Sequence, residues 1–144
     1  MKLFISGYSI PSGNLVRQTI EAICSAILCS AETLQFYQQI DQNKFSPHKA
    51  GKLLLKHSKT FNIDQKAMQS LLKLNGFYHK FSHATLLALA QNMSFSQLGQ
   101  IYVGPSFDDD KLFGYRKEMT TRIKLANNIS NVIEGILMSK DKTS

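Results

Sequence analysis

Tryptophan is absent from this chain of 144 residues, and it has only two cysteines and three prolines. Cys24 and Cys29 lie five positions apart, about 140° around a helix axis, which is poor geometry for a disulfide. Both thiols are therefore expected in the reduced form, as in a cytoplasmic protein. Scarce proline removes the main breaker of helices, and the abundant Leu, Ala, Lys, Gln and Ile favour helix. Long apolar runs are missing too. The longest, 22–31, is about half a membrane span, and Leu3-Phe4-Ile5 is too short for a signal peptide. These absences argue against a disulfide-stapled secreted fold and against a membrane partner.

Acidic residues are lacking in the middle of the chain. From Lys44 to Lys80, eight lysines stand against Asp64 alone, a net of +7, while the remainder balances at nine against nine. Arginine is absent from the same stretch. A charge excess confined to one third of a chain points to an acidic partner, RNA or protein, more directly than the overall charge does. The alternative is a solvated face, which is what charge runs usually are.

The length suits one domain, read here as 1–139 followed by a polar tail, 140–144. A chain of this size buries roughly 68–70% of its unfolded surface and needs no disulfide or metal to fold. The periodicity predicts a first helix from Ser12 or Asn14 to about Ser30, then a second helical stretch over 31–43 after a bend. Ser46-Pro47 marks the next start, with Ala50, Leu53, Leu54, His57 and Phe61 as its apolar stripe. Asn62 or Asp64 is expected to cap a helix reaching about Phe77, and Ser82 to cap one over 83–92. Residues 93–107 are irregular, with an extended piece at Ile101-Tyr102-Val103. Asp108-Asp109-Asp110 caps a long last helix to about Met138. Its inward set is Leu112, Tyr115, Met119, Ile123, Ala126, Ile129, Ile133 and Ile136. The fold class is all-α: a four- to five-helix bundle with one long irregular loop before a long C-terminal helix. Such a helix often supplies a dimer face, so a symmetric homodimer is expected.

Three constellations carry chemistry. Lys49, Lys52, Lys56 and Lys59 form a basic stripe, and Lys66, Lys73 and Lys80 recur every seven residues on one face. Together they are the candidate phosphate-backbone contacts, with Phe77, Tyr78 and Phe81 as aromatic neighbours able to stack on bases. Arg17 and Glu21 have ion-pair spacing. That pair either fixes helix register or orients a group opposite, for which His83 is the candidate. His79 and His83 share the i, i+4 spacing that zinc sites use. No third ligand accompanies them, so packing with a satisfied hydrogen bond, or one imidazole as acid, base or phosphate contact, competes with a metal-binding bundle. His57 falls on an apolar stripe and reads as a core or edge residue. His48 reads as solvated. No cofactor is called for.

Two of these pieces carry a resemblance. Asn14-Leu15-Val16-Arg17-Gln18-Thr19-Ile20-Glu21-Ala22 resembles the R-x-x-x-E first helix of a group of uncharacterised bacterial helical proteins. Phe77-Tyr78-His79-Lys80-Phe81-Ser82-His83 resembles the tyrosine and serine-histidine segment of that group. The group is distantly similar to HEPN domains, helical bundles of bacterial toxin–antitoxin and defence systems, some of which are metal-independent ribonucleases. The HEPN ribonuclease signature places an arginine four to six residues before a histidine. Only His83 matches that histidine, and residues 76–80 include no arginine. The resemblance implies an enzyme in which His83 is catalytic, assisted by Arg17 with Glu21, or by Lys80. The residues themselves imply a binding module with a basic face.

Overall fold

The computed structural model describes residues 1–30, 36–42, 45–83, 85–94, 98–105 and 107–141. About 76% of the described residues are helical, 3₁₀ turns included. In chain order the elements are α1 (Lys2–Ile5), α2 (Ser9–Ser30), α3 (Phe36–Asp41), α4 (Ala50–Lys56), α5 (Gln65–His79), α6 (Leu86–Gln91), β1 (Met93–Ser94), β2 (Tyr102–Val103) and α7 (Leu112–Asp141). The all-α expectation with its long last helix holds. Among the described residues, no helix is long and apolar enough to cross a membrane.

Several boundaries move, each for a local reason. The first long helix begins at Ser9 rather than at Ser12 or Asn14. Pro11 sits in its first turn, where a missing N–H removes no helical hydrogen bond. A short α1 precedes it, and Gly7 links the two at φ +83°, a backbone conformation that suits glycine. The stripe expected to run to Phe61 leaves the helix after Lys56, and Asn62 takes φ +49° in the following turns. Asp64 caps α5 as expected: its Oδ1 accepts from the Lys66 N–H at 2.7 Å. Thr85, not Ser82, caps α6. Its hydroxyl oxygen accepts from the Ala88 N–H at 3.2 Å and donates to the Lys80 carbonyl at 2.9 Å. Of the stretch 31–43, α3 accounts for Phe36–Asp41. The expected bend beyond Ser30, and residues 43 and 44, lie outside the described residues, as do residues 142–144 of the tail.

The chain forms two compact units, Met1–Arg17 with Phe77–Asn128, and Gln18–Gly76 with Ile129–Ser144. In the first, Phe4, Tyr78, Phe81 and Ala88 are buried. The Phe77, Tyr78 and Phe81 rings meet at centroid distances of 5.3–5.9 Å. Phe81 lies so close over Gly13 that a Cβ there would stand 2.8 Å from its ring. The irregular segment 93–107 contains a small antiparallel ladder, Met93 opposite Val103 and Ser94 opposite Tyr102. The Lys111 ammonium ties it to the start of α7 by donating to the carbonyls of Ala90 and Met93. The same ammonium lies 3.4 Å from Asp108 Oδ2.

In the second unit Ile20, Cys24 and Leu28 recur every four residues as a buried stripe on α2, and Phe36, Ala50, Leu54 and Met68 are buried as well. His57 is half-buried with its ring 5.8 Å from Phe36, as an edge histidine should be. His48 is exposed, with Nδ1 2.6 Å from the Ser46 hydroxyl. Cys24 and Cys29 are both free thiols.

Along α7 the inward face differs from the expected one. The less exposed positions are Tyr115, Glu118, Met119, Thr121, Arg122, Leu125, Ile129, Val132 and Ile136, of which Tyr115, Met119, Ile129 and Ile136 match the expected set. Leu112, Ile123, Ala126 and Ile133, expected on that face, are exposed instead. A stripe that runs through Glu118 and Arg122 is invisible to a search for apolar residues.

Candidate functional site

The end of α5 and the turn that follows it display their polar residues because the aromatic ones are held inside. Tyr78 and Phe81, three apart, are buried anchors. A 3₁₀ turn over Lys80–Ser82 then leaves His79, Lys80 and His83 exposed. His83 is extended, at φ −130° and ψ 159°. Ser82 donates from its hydroxyl to Asn14 Oδ1 at 2.7 Å, which fastens the turn to α2.

Arg17, one turn further along α2 than Asn14, places Nη1 3.5 Å from His79 Nδ1. Guanidinium only donates, so in a hydrogen bond between them Nδ1 is the acceptor. The His79 and His83 rings meet edge to face, with centroids 4.7 Å apart and an interplanar angle of 75°. The structure therefore gathers Arg17, His79 and His83 at one exposed place. His79 is the member in contact with both of the others, although the sequence put weight on His83. Glu21 is half-buried and belongs to the second unit. Its carboxylate adds to the effect of burial in raising the Cys24 thiol to about 11, burial being the larger cause. Among the described residues, no group of three His, Cys, Asp or Glu side chains forms a metal-binding set.

The seven candidate lysines are all exposed. Lys49, Lys52, Lys56, Lys59, Lys66 and Lys73 belong to the second unit and Lys80 to the first. None of them pairs with an acid among the described residues. Phe77 is half-buried, while Tyr78 and Phe81 are buried. These rings pack on one another, so the expected role for Tyr78 and Phe81 as surface stacking platforms is corrected.

Behind the exposed cluster lies a polar network that sequence inspection missed. The Tyr78 hydroxyl donates to Glu118 Oε2 at 2.8 Å. Arg122 donates from Nε to the same oxygen at 3.2 Å and from Nη1 to the Ser12 carbonyl at 3.2 Å and the Ser12 hydroxyl. Its guanidinium lies 4.5 Å from the Phe4 ring centroid and 5.4 Å from that of Tyr78. Burial, with the Glu118 carboxylate and its hydrogen bond adding, drives the Tyr78 phenol well above the ordinary tyrosine range. The network joins α2, α5 and α7 within the first unit, and Tyr78 adjoins His79, so it holds the exposed cluster in register. The i, i+4 spacing of Glu118 and Arg122 was a visible signal for the pair. Nothing in the sequence names Tyr78 and Ser12 as its partners. No protein family model, curated protein or solved structure matches this chain.

Proposed function

We propose that this protein is a helical binding module that holds a polyanion, RNA in the first instance, through the lysines of its middle third. The observation that carries this reading is the exposure of Lys49, Lys52, Lys56, Lys59, Lys66 and Lys73 without an acidic partner among the described residues. Ammonium groups are strongly hydrated point charges and lack the bidentate fork of arginine. A lysine face therefore contacts phosphates without reading bases, and its affinity falls steeply with salt. The setting is cytoplasmic, where both thiols stay reduced. Ile123, Ile133 and Leu137 are exposed along α7 and support a homodimer through that helix. A monomer mass at every concentration would refute the dimer.

A second reading has its own support in the contact of Arg17 with His79 and of His79 with His83. In it, bound RNA is cleaved without metal, as the HEPN resemblance implies. One imidazole takes the 2′-hydroxyl proton as that oxygen attacks phosphorus, and the other protonates the departing 5′-oxygen. The products are a 2′,3′-cyclic phosphate and a 5′-hydroxyl. Arg17 offsets the charge that builds on the phosphoryl oxygens.

The test is incubation with labelled RNA, with and without EDTA, run on native and denaturing gels. Retarded, intact RNA supports the binding module. Fragments that persist in EDTA and vanish in both His79→Ala and His83→Ala support cleavage. Free, intact RNA at low salt sinks both readings and leaves an acidic protein as the partner to seek.

A further inference from the structure

Helix α5 belongs to the second unit as far as Gly76. Over that length it exposes a row in which lysines alternate with uncharged hydrogen-bonding side chains: Lys66, then Gln69 and Ser70, then Lys73. These positions are three, four and seven apart, so they share one helix face, with Lys66 and Lys73 roughly 10.5 Å apart along the axis. No residue of α5 is acidic. The Ser70 hydroxyl donates to the Lys66 carbonyl at 2.9 Å. Its proton is thereby committed, and its oxygen is left as an acceptor at an exposed position. A Cβ at Gly51 would stand 2.6 Å from Leu72 Cδ2, so α4, with exposed Lys52 and Lys56, lies hard against α5. The rings near these lysines are withdrawn. Phe36 is buried, Phe45 and Phe61 are half-buried, and Tyr78 and Phe81 at the far end of α5 turn inward.

Proteins that hold single strands combine a basic groove with aromatic platforms on which unpaired bases stack. Here a single strand meets ammonium groups and has no such platform beside them. A duplex keeps its bases stacked within itself, presents only its backbone, and carries charge at about twice the density of one strand. We infer that the second unit takes double-stranded RNA by its backbone. Lys66 and Lys73 contact phosphates, Gln69 and Ser70 between them contact ribose 2′-hydroxyls, and the α4 lysines contact further phosphates. A 2′-hydroxyl donates to Ser70 Oγ, which is the role that Ser70 leaves open, and deoxyribose has no such donor. A-form RNA displays its 2′-hydroxyls in a wide, shallow minor groove, open to a helix face. The inference rests on the RNA reading above and narrows it to the duplex.

The experiment measures the affinity of the full chain, at low salt, for three probes of equal length: an unpaired RNA strand, its RNA duplex, and the DNA duplex of the same sequence. The RNA duplex should bind on the order of tenfold more tightly than the single strand. It should bind about three- to tenfold more tightly than the DNA duplex, as befits a hydrogen bond or two to the sugar. Combining Ser70→Ala with Gln69→Ala, at exposed helical positions that alanine suits, should close the gap between the RNA and DNA duplexes. A single strand bound as tightly as the RNA duplex overturns the inference while the lysine reading stands. Equal affinity for the two duplexes, or a gap that survives the double variant, overturns it as well, because no 2′-hydroxyl is then read at this face. If no probe binds, the lysine reading fails and the inference falls with it.

Discussion

The Tyr78 hydroxyl reaches Glu118 Oε2 at 2.8 Å, forty residues away in sequence, and that oxygen also accepts Arg122 Nε at 3.2 Å. The Arg122 guanidinium is buried and the Glu118 carboxylate partly so, and each depends on the partners that remain. Tyr78→Phe removes one donor and should cost about 1–2 kcal/mol. Arg122→Ala leaves the carboxylate without its cation and should cost about 3–5 kcal/mol. Urea denaturation of the two single variants and the double variant checks this. Losses that simply add would show that the three groups do not act as a network.

Salt should report directly on the lysine face. Lys66 and Lys73 are exposed on α5, so reversing both to Glu should leave the helical circular dichroism unchanged. RNA affinity should fall, and the slope of log affinity against log salt should flatten by about 0.7 for each phosphate no longer neutralised. An unchanged slope would remove α5 from the interface.

Two helical glycines should respond to alanine with opposite signs. Gly76 in α5 has open space where a Cβ would stand, so Gly76→Ala should stabilise by up to about 1 kcal/mol through helix propensity. Gly13 has the Phe81 ring 2.8 Å from that position, so Gly13→Ala should destabilise by about 1–3 kcal/mol through overpacking. Thermal melts of the two variants compare them directly.

Alkaline pH should weaken the fold. Burial raises the Cys24 thiol to about 11 and also raises the Tyr78 phenol. A group raised in the folded state contributes stability below its unfolded pKa and loses that contribution as pH climbs toward the folded value. For Cys24 the loss begins above about pH 9 and reaches on the order of 2 kcal/mol near pH 11. In Cys24→Ala that part of the pH dependence should disappear. At neutral pH, iodoacetamide should modify the half-buried Cys29 before the buried Cys24.

Local signals in the chain were readable where a residue acts on its own neighbours. Asp64 caps α5 and Asp108 caps the turn that opens α7, because a short polar side chain reaches N–H groups two residues ahead. Ser82 has the same chemistry but is claimed by Asn14, sixty-eight positions away, and Thr85 takes the capping role. The inward face of α7 was misplaced for a related reason. Its stripe runs through a carboxylate and a guanidinium that are satisfied by Tyr78 and Ser12, and no periodicity of apolar residues reveals a buried ion pair.

The sequence alone determined the all-α class and the concentration of positive charge between Lys44 and Lys80, since these follow from composition and helical period, whereas His79 and His83 meet across a 3₁₀ turn and not on one helix face. Only the tertiary structure decided that Arg17 meets His79, that Tyr78 turns inward to Glu118, and that Phe4 packs on Tyr115. Those contacts join residues far apart in the chain, and their partners are chosen by packing in three dimensions rather than by spacing along a helix.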